Sequence, residues 1–364
     1  MNIVFDARML SSLDHGIAVH AYNLLKALVR GESEFVFRVL APKNNIIDFE
    51  SGKMEIIFSG IPMYSVSEQV LLPRVIGRLR PSLYHIPSFS APLLVNCPFV
   101  MTIHDLIHMK FSYDYSRLHR AYYKLIVKRA AQKAAKVITV SENSKRDIID
   151  FLGLDKSKIK VIHNGLDLER VRKLAAGDPK AYVRSKFGIE GDFIICVGNP
   201  KPHKNLITAV RAFRKASSKS ALPLRMLLGG AEEKFLSGHG IKPGKDIICA
   251  PDMTSKDLYN AVKGARMLVF PSMYEGFGYP PVEAMALSTP VITTNVSSLP
   301  EIVKDAALLL DPLDADAMAG AMLKLLEDDS LGRDLVQKGL KTAEQYSYEM
   351  MGRRTLSLYE ELLK

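Results

Sequence analysis

Two glutamates, Glu275 and Glu283, stand eight positions apart across a corner rich in glycine and proline, Tyr274-Glu275-Gly276-Phe277-Gly278-Tyr279-Pro280-Pro281-Val282-Glu283. The corner follows Met267–Pro271, an apolar run that reads as a buried strand. Gly276 and Gly278 let the backbone approach a ligand closely or adopt positive φ. Pro281 suits the first position of a helix, where a missing N–H costs nothing. A helix starting there offers unpaired N–H groups and its positive dipole end to phosphate. Glu283 is then expected in the first turn and Glu275 in the loop before it. Residue physics alone also allows a plain strand–turn–helix corner, with Glu283 complementing the helix dipole.

A second cluster is cationic: Val197-Gly198-Asn199-Pro200-Lys201-Pro202-His203-Lys204-Asn205-Leu206. It too follows an apolar run and leads into a helical pattern. Two prolines stiffen the loop and hold its cations in place. At ~4 Å and an effective dielectric of about 20, one charge pair is worth roughly 4 kcal/mol, against about 1 kcal/mol for a typical net hydrogen bond. A positioned Lys204 would therefore dominate the binding of a diphosphate. In isolation the same loop reads equally as a solvated turn before a helix. Two further stretches are weak by themselves: Thr102-Ile103-His104-Asp105-Leu106, which ends a buried run, and His15-Gly16-Ile17-Ala18.

These residues need elements to position them. Strand-like runs are Asn2–Asp6, Phe35–Ala41, Glu55–Ser59, Leu83–Ile86, Phe99–His104, Val137–Ser141 and Lys160–His163, then Phe193–Gly198, Leu224–Gly229, Asp246–Ala250, Met267–Pro271, Val291–Thr294 and Leu308–Asp311. Helical patterns alternate with them: Gly16–Arg30, Glu68–Leu79, Tyr115–Ala135 and Ser141–Leu152, then Asn205–Ala216, Ser255–Gly264, Pro281–Leu287, Ala315–Glu327, Leu331–Tyr346 and Tyr348–Leu362. Such alternation argues two parallel α/β domains. Asn164–Gly191 is polar and broken by Gly177, Pro179 and Gly188, so a linker is expected there. Ligands of doubly wound sheets bind at the carboxyl ends of the strands, and the clusters above lie there. If the two domains face each other, those ends line one cleft.

Bulk properties narrow the class. At 364 residues the chain is long enough for two domains. Met1–Arg8 is no signal peptide, because Asp6 interrupts a short apolar run. No apolar run approaches the ~18 residues of a membrane span, and a cytoplasmic protein is expected. Cys97, Cys196 and Cys249 lack metal-ligand spacing and read as reduced, buried thiols. The net charge of +10 is uneven: residues 1–165 carry 22 Lys+Arg against 14 Asp+Glu, or +8, and the rest 27 against 25, or +2. A basic half implies an anionic partner or a solvated face. Arg117, Arg120, Lys124 and Lys128 recur at steps of three and four within Arg117–Lys136. That helix would lie on an anionic membrane at its inner face or simply be solvated. Nothing resembles a nucleic-acid module.

Pro271–Ala286 resembles the Glu-x7-Glu signature of the retaining glycosyltransferases of family 4, also called group 1. The resemblance runs on through Ser288-Thr289-Pro290-Val291-Ile292-Thr293-Thr294-Asn295-Val296-Ser297-Ser298-Leu299-Pro300-Glu301 to Asp305–Pro312. Leu287-Ser288 departs from the Cys-Gly of many relatives. The resemblance implies a GT-B fold, with two Rossmann-like, doubly wound parallel-sheet domains facing a central cleft. The acceptor-side domain would span residues 1–166, completed by a C-terminal helix 347–364, and the donor domain residues 167–346. By the same resemblance Glu283 binds the donor's ribose hydroxyls and Glu275 lies beside the transferred sugar. Backbone amides around Gly276, Phe277 and Gly278, with Tyr279 next to them, hold sugar and phosphate.

Lys204 matches the lysine of the family's diphosphate loop. Asn199 stands where many relatives carry Arg, and His203 where others do, so the second contact falls to Lys201 or His203. His104 matches the His-Asp-Leu motif, where it would hydrogen-bond a sugar hydroxyl or shuttle the acceptor proton, with Asp105 orienting it. Gly16 would bring backbone N–H groups to the diphosphate from the other side. Val140–Asp147 and Val161–Asp167 also match and read as structural. The catalytic set is thus His104, Lys204 and Glu275. No metal is expected, for want of an Asp-x-Asp or a histidine cluster, and no cofactor beyond the nucleotide-sugar. The implied activity is retaining transfer of a mannose- or glucose-type hexose from a GDP- or UDP-sugar to a glycan or lipid-linked acceptor in cell-surface polysaccharide assembly. Two rivals are a nucleotide-sugar epimerase, which would turn over donor without acceptor, and a non-catalytic nucleotide-sugar-binding partner protein.

Overall fold

The computed structural model describes residues 1–13, 16–111, 121–221, 223–242 and 244–364. The chain divides into two compact units, Met1–Leu166 with Tyr346–Lys364, and Asp167–Gln345. Each is a doubly wound parallel sheet. The first has seven strands: β1 (Asn2–Asp6), β2 (Val36–Ala41), β3 (Met54–Phe58), β4 (Leu83–Ile86), β5 (Phe99–Ile103), β6 (Lys136–Thr139) and β7 (Ile159–Val161), in the order β3-β2-β1-β4-β5-β6-β7. The second has six: β8 (Phe193–Val197), β9 (Arg225–Gly229), β10 (Ile247–Ala250), β11 (Met267–Phe270), β12 (Val291–Thr294) and β13 (Leu308–Leu310), in the order β10-β9-β8-β11-β12-β13. Every residue of β4, β5, β8, β11 and β12 is buried. Helices covering both faces of a parallel sheet leave no wet face, which is why these strands read as mostly apolar runs without the alternation of a half-exposed strand.

In the first unit, side chains of period two feed separate cores. Ile3 and Phe5 pack with Leu24, Leu25 and Leu28 of the helix Gly16–Arg30 and with Tyr359 of the helix Tyr348–Leu363. Val4, Tyr84 and Ile86 point the other way, onto Leu72 and Ile76 of the helix Val66–Leu79, Val127, and Ile148 of the helix Glu142–Leu152. The two helices on the first face touch closely at Gly352, where an added Cβ would meet Ala27 Cβ at 2.5 Å. Gly352→Val should therefore cost about 1–3 kcal/mol by overpacking, read as a lower urea midpoint.

Three expectations need correction. Asn164–Gly191 does contain the crossing between the units, after Leu166, but the rest of it is not an open linker: it holds the helices Leu168–Leu174 and Pro179–Phe187. Their punctuation explains the misreading. Asp167 and Asp178 cap the N-termini, Pro179 occupies the first turn, and Gly188 closes the second helix at φ +66°. Cys97 and Cys249 are half-buried, and only Cys196 is fully buried; all three are free. The pattern Tyr115–Ala135 is described only from Ala121 onward, as a π-helical stretch Tyr123–Val127 running into Lys128–Lys133. Its earlier part, with Arg117 and Arg120, and also His15, lie outside the described residues. Among the described residues no helix is long and apolar enough to cross a membrane.

Strand order reverses between β1 and β4 in the first unit, and between β8 and β11 in the second. Crevices outside the carboxyl ends of strands at such switch points are where open α/β sheets bind ligands.

Candidate functional site

In the second unit β8 and β11 are neighbours, so the loops that follow them meet. The first, after β8, tightens into a 3-10 turn, Pro202–Lys204. Asn205 then starts the helix Leu206–Ser217 at φ +53°. The Asn205 amide donates to the carbonyls of Pro271, at 3.1 Å, and Pro312, at 2.6 Å, which fixes this strained residue against the second loop. The His203 carbonyl accepts from Met273 N–H at 2.7 Å and from the Ser272 hydroxyl at 3.2 Å. His203 is buried, whereas Lys201 and Asn199 are exposed on the same loop.

The clamp brings two charges together. Lys204 Nζ lies 2.6 Å from Glu275 Oε1, with side chains only 21% and 13% exposed. The Lys204 ammonium also sits over the Phe270 ring, 5.7 Å from its centroid. A half-buried lysine at the carboxyl end of a switch-point strand can bind a diphosphate, and the carboxylate holds it ready.

The helix after this loop starts earlier than its sequence suggests. It runs Tyr279–Ala286, with Gly278 as N-cap at φ +96°. Any other residue at 278 would be strained, and its Cβ would meet Leu299 Cδ2 at 2.8 Å. Pro280 and Pro281 are tolerated because first-turn N–H groups lack partners in the helix. They also remove two donors from that turn. Glu283 consequently sits past the first turn. It is 9% exposed and accepts from Tyr259 OH at 3.1 Å. Burial pushes its carboxyl up to about 7, opposed by the Tyr259 hydrogen bond. The nearby Tyr279 hydroxyl is buried and makes no hydrogen bond in the structure. A buried carboxylate beside an unsatisfied hydroxyl is a polar site awaiting a partner.

Two serines hold the Glu275 loop. Ser297, at φ +61°, donates to the Glu275 carbonyl at 2.6 Å and accepts its N–H at 3.0 Å. Ser298, fully buried, bonds the carbonyls of Glu275 at 2.9 Å and Phe277 at 3.1 Å. Sequence reasoning quoted both without a role and missed Tyr259. Removing the hydroxyl in Ser298→Ala should cost about 1–2 kcal/mol in urea unfolding and blunt any stabilisation by nucleotide.

The first unit carries His104 and Gly16. Gly16 opens the helix Gly16–Arg30. His104 is 8% exposed, with Nε2 3.1 Å from the Pro87 carbonyl, and its own carbonyl accepts from the Ser144 hydroxyl at 3.0 Å. His20 packs edge-on against it, ring centroids 4.6 Å apart. Burial, then the neighbouring His104, pushes His20 well below the usual histidine range, so it is neutral. Near β1, Arg8 is held between Asp6 at 2.8 Å and Glu68 at 2.6 Å, all fully buried. Glu68 in turn accepts from Tyr64 N–H and the Ser90 hydroxyl. Sequence reasoning missed both groups, which come together only once the sheet is assembled.

The chain matches two family profiles, "Glycosyltransferase Family 4" over residues 15–170 and "Glycosyl transferases group 1" over residues 183–342. It is similar to O-antigen chain mannosyltransferase B of Escherichia coli, 28% identical over 288 residues, which cover 77% of this chain and 74% of that protein. It is similar too to O-antigen chain mannosyltransferase RfbU of Salmonella typhimurium, 26% identical over 64% of this chain and 62% of the relative. Among solved structures, HepE of Anabaena in complex with UDP and glucose superposes with a TM-score of 0.74 at 17% identity, covering 99% of this chain and all of that one. WaaG, a glycosyltransferase involved in lipopolysaccharide biosynthesis, superposes at 0.69 and 14%, covering 98% and 99%. At those identities the structures speak for the fold, GT-B. Loops, clamp and profiles agree, and the chain belongs to the group 1, or family 4, glycosyltransferases.

Proposed function

We propose that this chain transfers a hexose of mannose or glucose type from a GDP- or UDP-sugar to a glycan or lipid-linked acceptor in cell-surface polysaccharide assembly. Retention of configuration, independence of metal and cytoplasmic work in peripheral contact with an anionic membrane are parts of the same reading. One observation carries it: the Lys204–Glu275 pair at 2.6 Å, at the ends of two neighbouring strands, with buried Glu283 on the next helix. Lys204 would take the diphosphate, Glu283 the ribose, and Glu275 the hexose. The mannosyltransferase relatives support the choice of hexose, and HepE's UDP and glucose support a nucleotide-sugar donor. A front-face route suits these residues. Lys204 stabilises the departing diphosphate while the acceptor attacks from the same side, its proton passing to the leaving phosphate oxygen.

Thermal-shift titration with GDP, UDP, ADP, dTDP and CMP, with and without EDTA, tests the donor site. One nucleotide should raise Tm clearly, and EDTA should leave the rise intact. No response to any of the five would sink the donor reading, and a rise abolished by EDTA would sink metal independence. NMR of the product's anomeric proton then checks retention.

A further inference from the structure

Glu68 is held by Arg8 and Glu275 by Lys204, each at 2.6 Å. Glu283 has no such cation. Among the described residues its side chain has one hydrogen-bond partner, the Tyr259 hydroxyl, which donates to Oε1 at 3.1 Å, and it forms no ion pair. Its own helix gives it little help. Glu283 is the fifth residue of Tyr279–Ala286, beyond the first turn where a helix dipole is felt, and Pro280 and Pro281 offer no N–H. Burial drives such a carboxyl towards the neutral acid, and the Tyr259 bond opposes it.

The elements packed around that helix bring no cation to the carboxyl. The helix Leu168–Leu174 places Arg170 near Tyr259 and sends Arg172 to the Ala286 carbonyl, at 3.4 Å, and to Glu344. The helix Leu299–Val303 carries Glu301, and the helix Asp329–Glu344 meets Met285 through Gly339. β11 and β12 carry no titratable residue. Tyr279 is close, but its hydroxyl makes no hydrogen bond.

Tyr259 is firmly placed. Its helix, Ser255–Gly264, begins with a capping box formed by Thr254 and Asp257. Asn260 Nδ2 donates to the Leu174 carbonyl at 2.9 Å and Lys263 Nζ to the Ala175 carbonyl at 3.0 Å, while the Val262 carbonyl accepts from the Thr289 hydroxyl at 2.8 Å. Burial, then Glu283, pushes the Tyr259 phenol well above the usual tyrosine range, so it stays protonated and donates. A phenol does here what a cation could not. Lysine or arginine would hold the carboxylate ionised but compete for both of its oxygens. One hydroxyl takes Oε1 and leaves Oε2 for a ligand.

We propose that Tyr259 is a positioning residue of the donor site: its hydroxyl fixes Glu283 Oε1, keeps the carboxyl ionised near neutral pH, and leaves Oε2 to a ribose hydroxyl. This role rests on the reading of Glu283 as the ribose ligand. It makes donor binding sensitive to pH through a residue that acts by way of Glu283.

Tyr259→Phe keeps the ring and removes the hydroxyl. Losing a hydrogen bond to a charged group moves a carboxyl's midpoint by about 1–2 pH units. The Glu283 carboxyl can be followed in the free protein by carbon-13 NMR and assigned by its loss in Glu283→Gln. It should titrate about 1–2 pH units higher in Tyr259→Phe. Tyr279→Phe removes a hydroxyl that makes no bond and should leave the midpoint in place. Affinity for GDP and UDP should fall about tenfold in Tyr259→Phe at pH 7.5 and return to within about threefold of the native protein at pH 9.5. A residue that served packing alone would weaken binding equally at both values. Added to Glu283→Gln, Tyr259→Phe should cost no more than about threefold, because no charge remains to be held. The proposal is overturned if the Glu283 midpoint stays in place in Tyr259→Phe, or if the affinity loss is the same at both pH values. A midpoint that moves while affinity does not overturns the ribose reading instead, and with it the part of Tyr259 in donor binding.

Discussion

Lys204→Ala should slow sugar transfer by roughly 10²–10³-fold at saturating donor, or about 2.7–4 kcal/mol of transition-state stabilisation. Charge builds on the leaving diphosphate as the glycosidic bond breaks, so a fixed cation there acts more on the transition state than on the bound donor. The rate should therefore fall more than the affinity for nucleotide. The ion pair complicates the reading, because alanine at 204 also strands Glu275 in a half-buried place. Glu275→Gln combined with Lys204→Ala separates the two effects. If Lys204 served only to neutralise Glu275, the double variant would be no slower than Glu275→Gln alone. If Lys204 stabilises the departing diphosphate, the double variant falls well below Glu275→Gln, and Lys204→Arg retains part of the activity. Initial rates with the nucleotide-sugar chosen by thermal shift decide it; a near-normal rate for Lys204→Ala would remove the residue from the mechanism.

The sequence made the sheets legible and left their neighbourhoods obscure. Asn2–Asp6, Leu83–Ile86 and Val291–Thr294 were readable to the residue because strands buried on both faces are mostly apolar, with polar residues few and mainly at their ends. Short helices such as Leu168–Leu174 were not, because only Leu168 and Val171 are buried there, and two positions make no period. The start of Tyr279–Ala286 was misplaced by two residues because a proline pair fits the whole first turn and marks no single position within it. Within the site, residue types flagged Lys204, Glu275 and Glu283 separately. Their meeting was hidden, since Lys204 and Glu275 are 71 residues apart and meet only because β8 pairs with β11. Tyr259, Ser297 and Ser298 are ordinary polar residues whose roles come from the loops they face. His20 was hidden within an apolar helix face.

Glu283→Gln should stabilise the free protein and weaken its grip on nucleotide, both in a pH-dependent way. Unfolded, Glu283 has the ordinary value of 4.5; folded, burial lifts it to about 7. Between these values the folded protein holds a proton that the unfolded chain has released, so stability falls as pH rises through that window. Above about pH 7 the full cost is present, about 3 kcal/mol as an upper figure. Glutamine keeps an acceptor for Tyr259 and carries no charge, so the variant should gain most at pH 8 and nothing near pH 4.5, as urea unfolding at both values would read. Donor binding should move oppositely. Ribose hydroxyls donate more strongly to a carboxylate than to a neutral amide, by about 1.5–3 kcal/mol for a bond to a charged group. Nucleotide affinity of the native protein should thus rise with pH through about 7. That of Glu283→Gln should be flat and roughly 10–100-fold weaker at pH 8. A stability gain that ignores pH would mean that Glu283 stays ionised in the folded protein. Unchanged affinity at pH 8 would mean that the ribose is held elsewhere. Both effects together would show a carboxylate kept at the expense of stability for the ligand it binds.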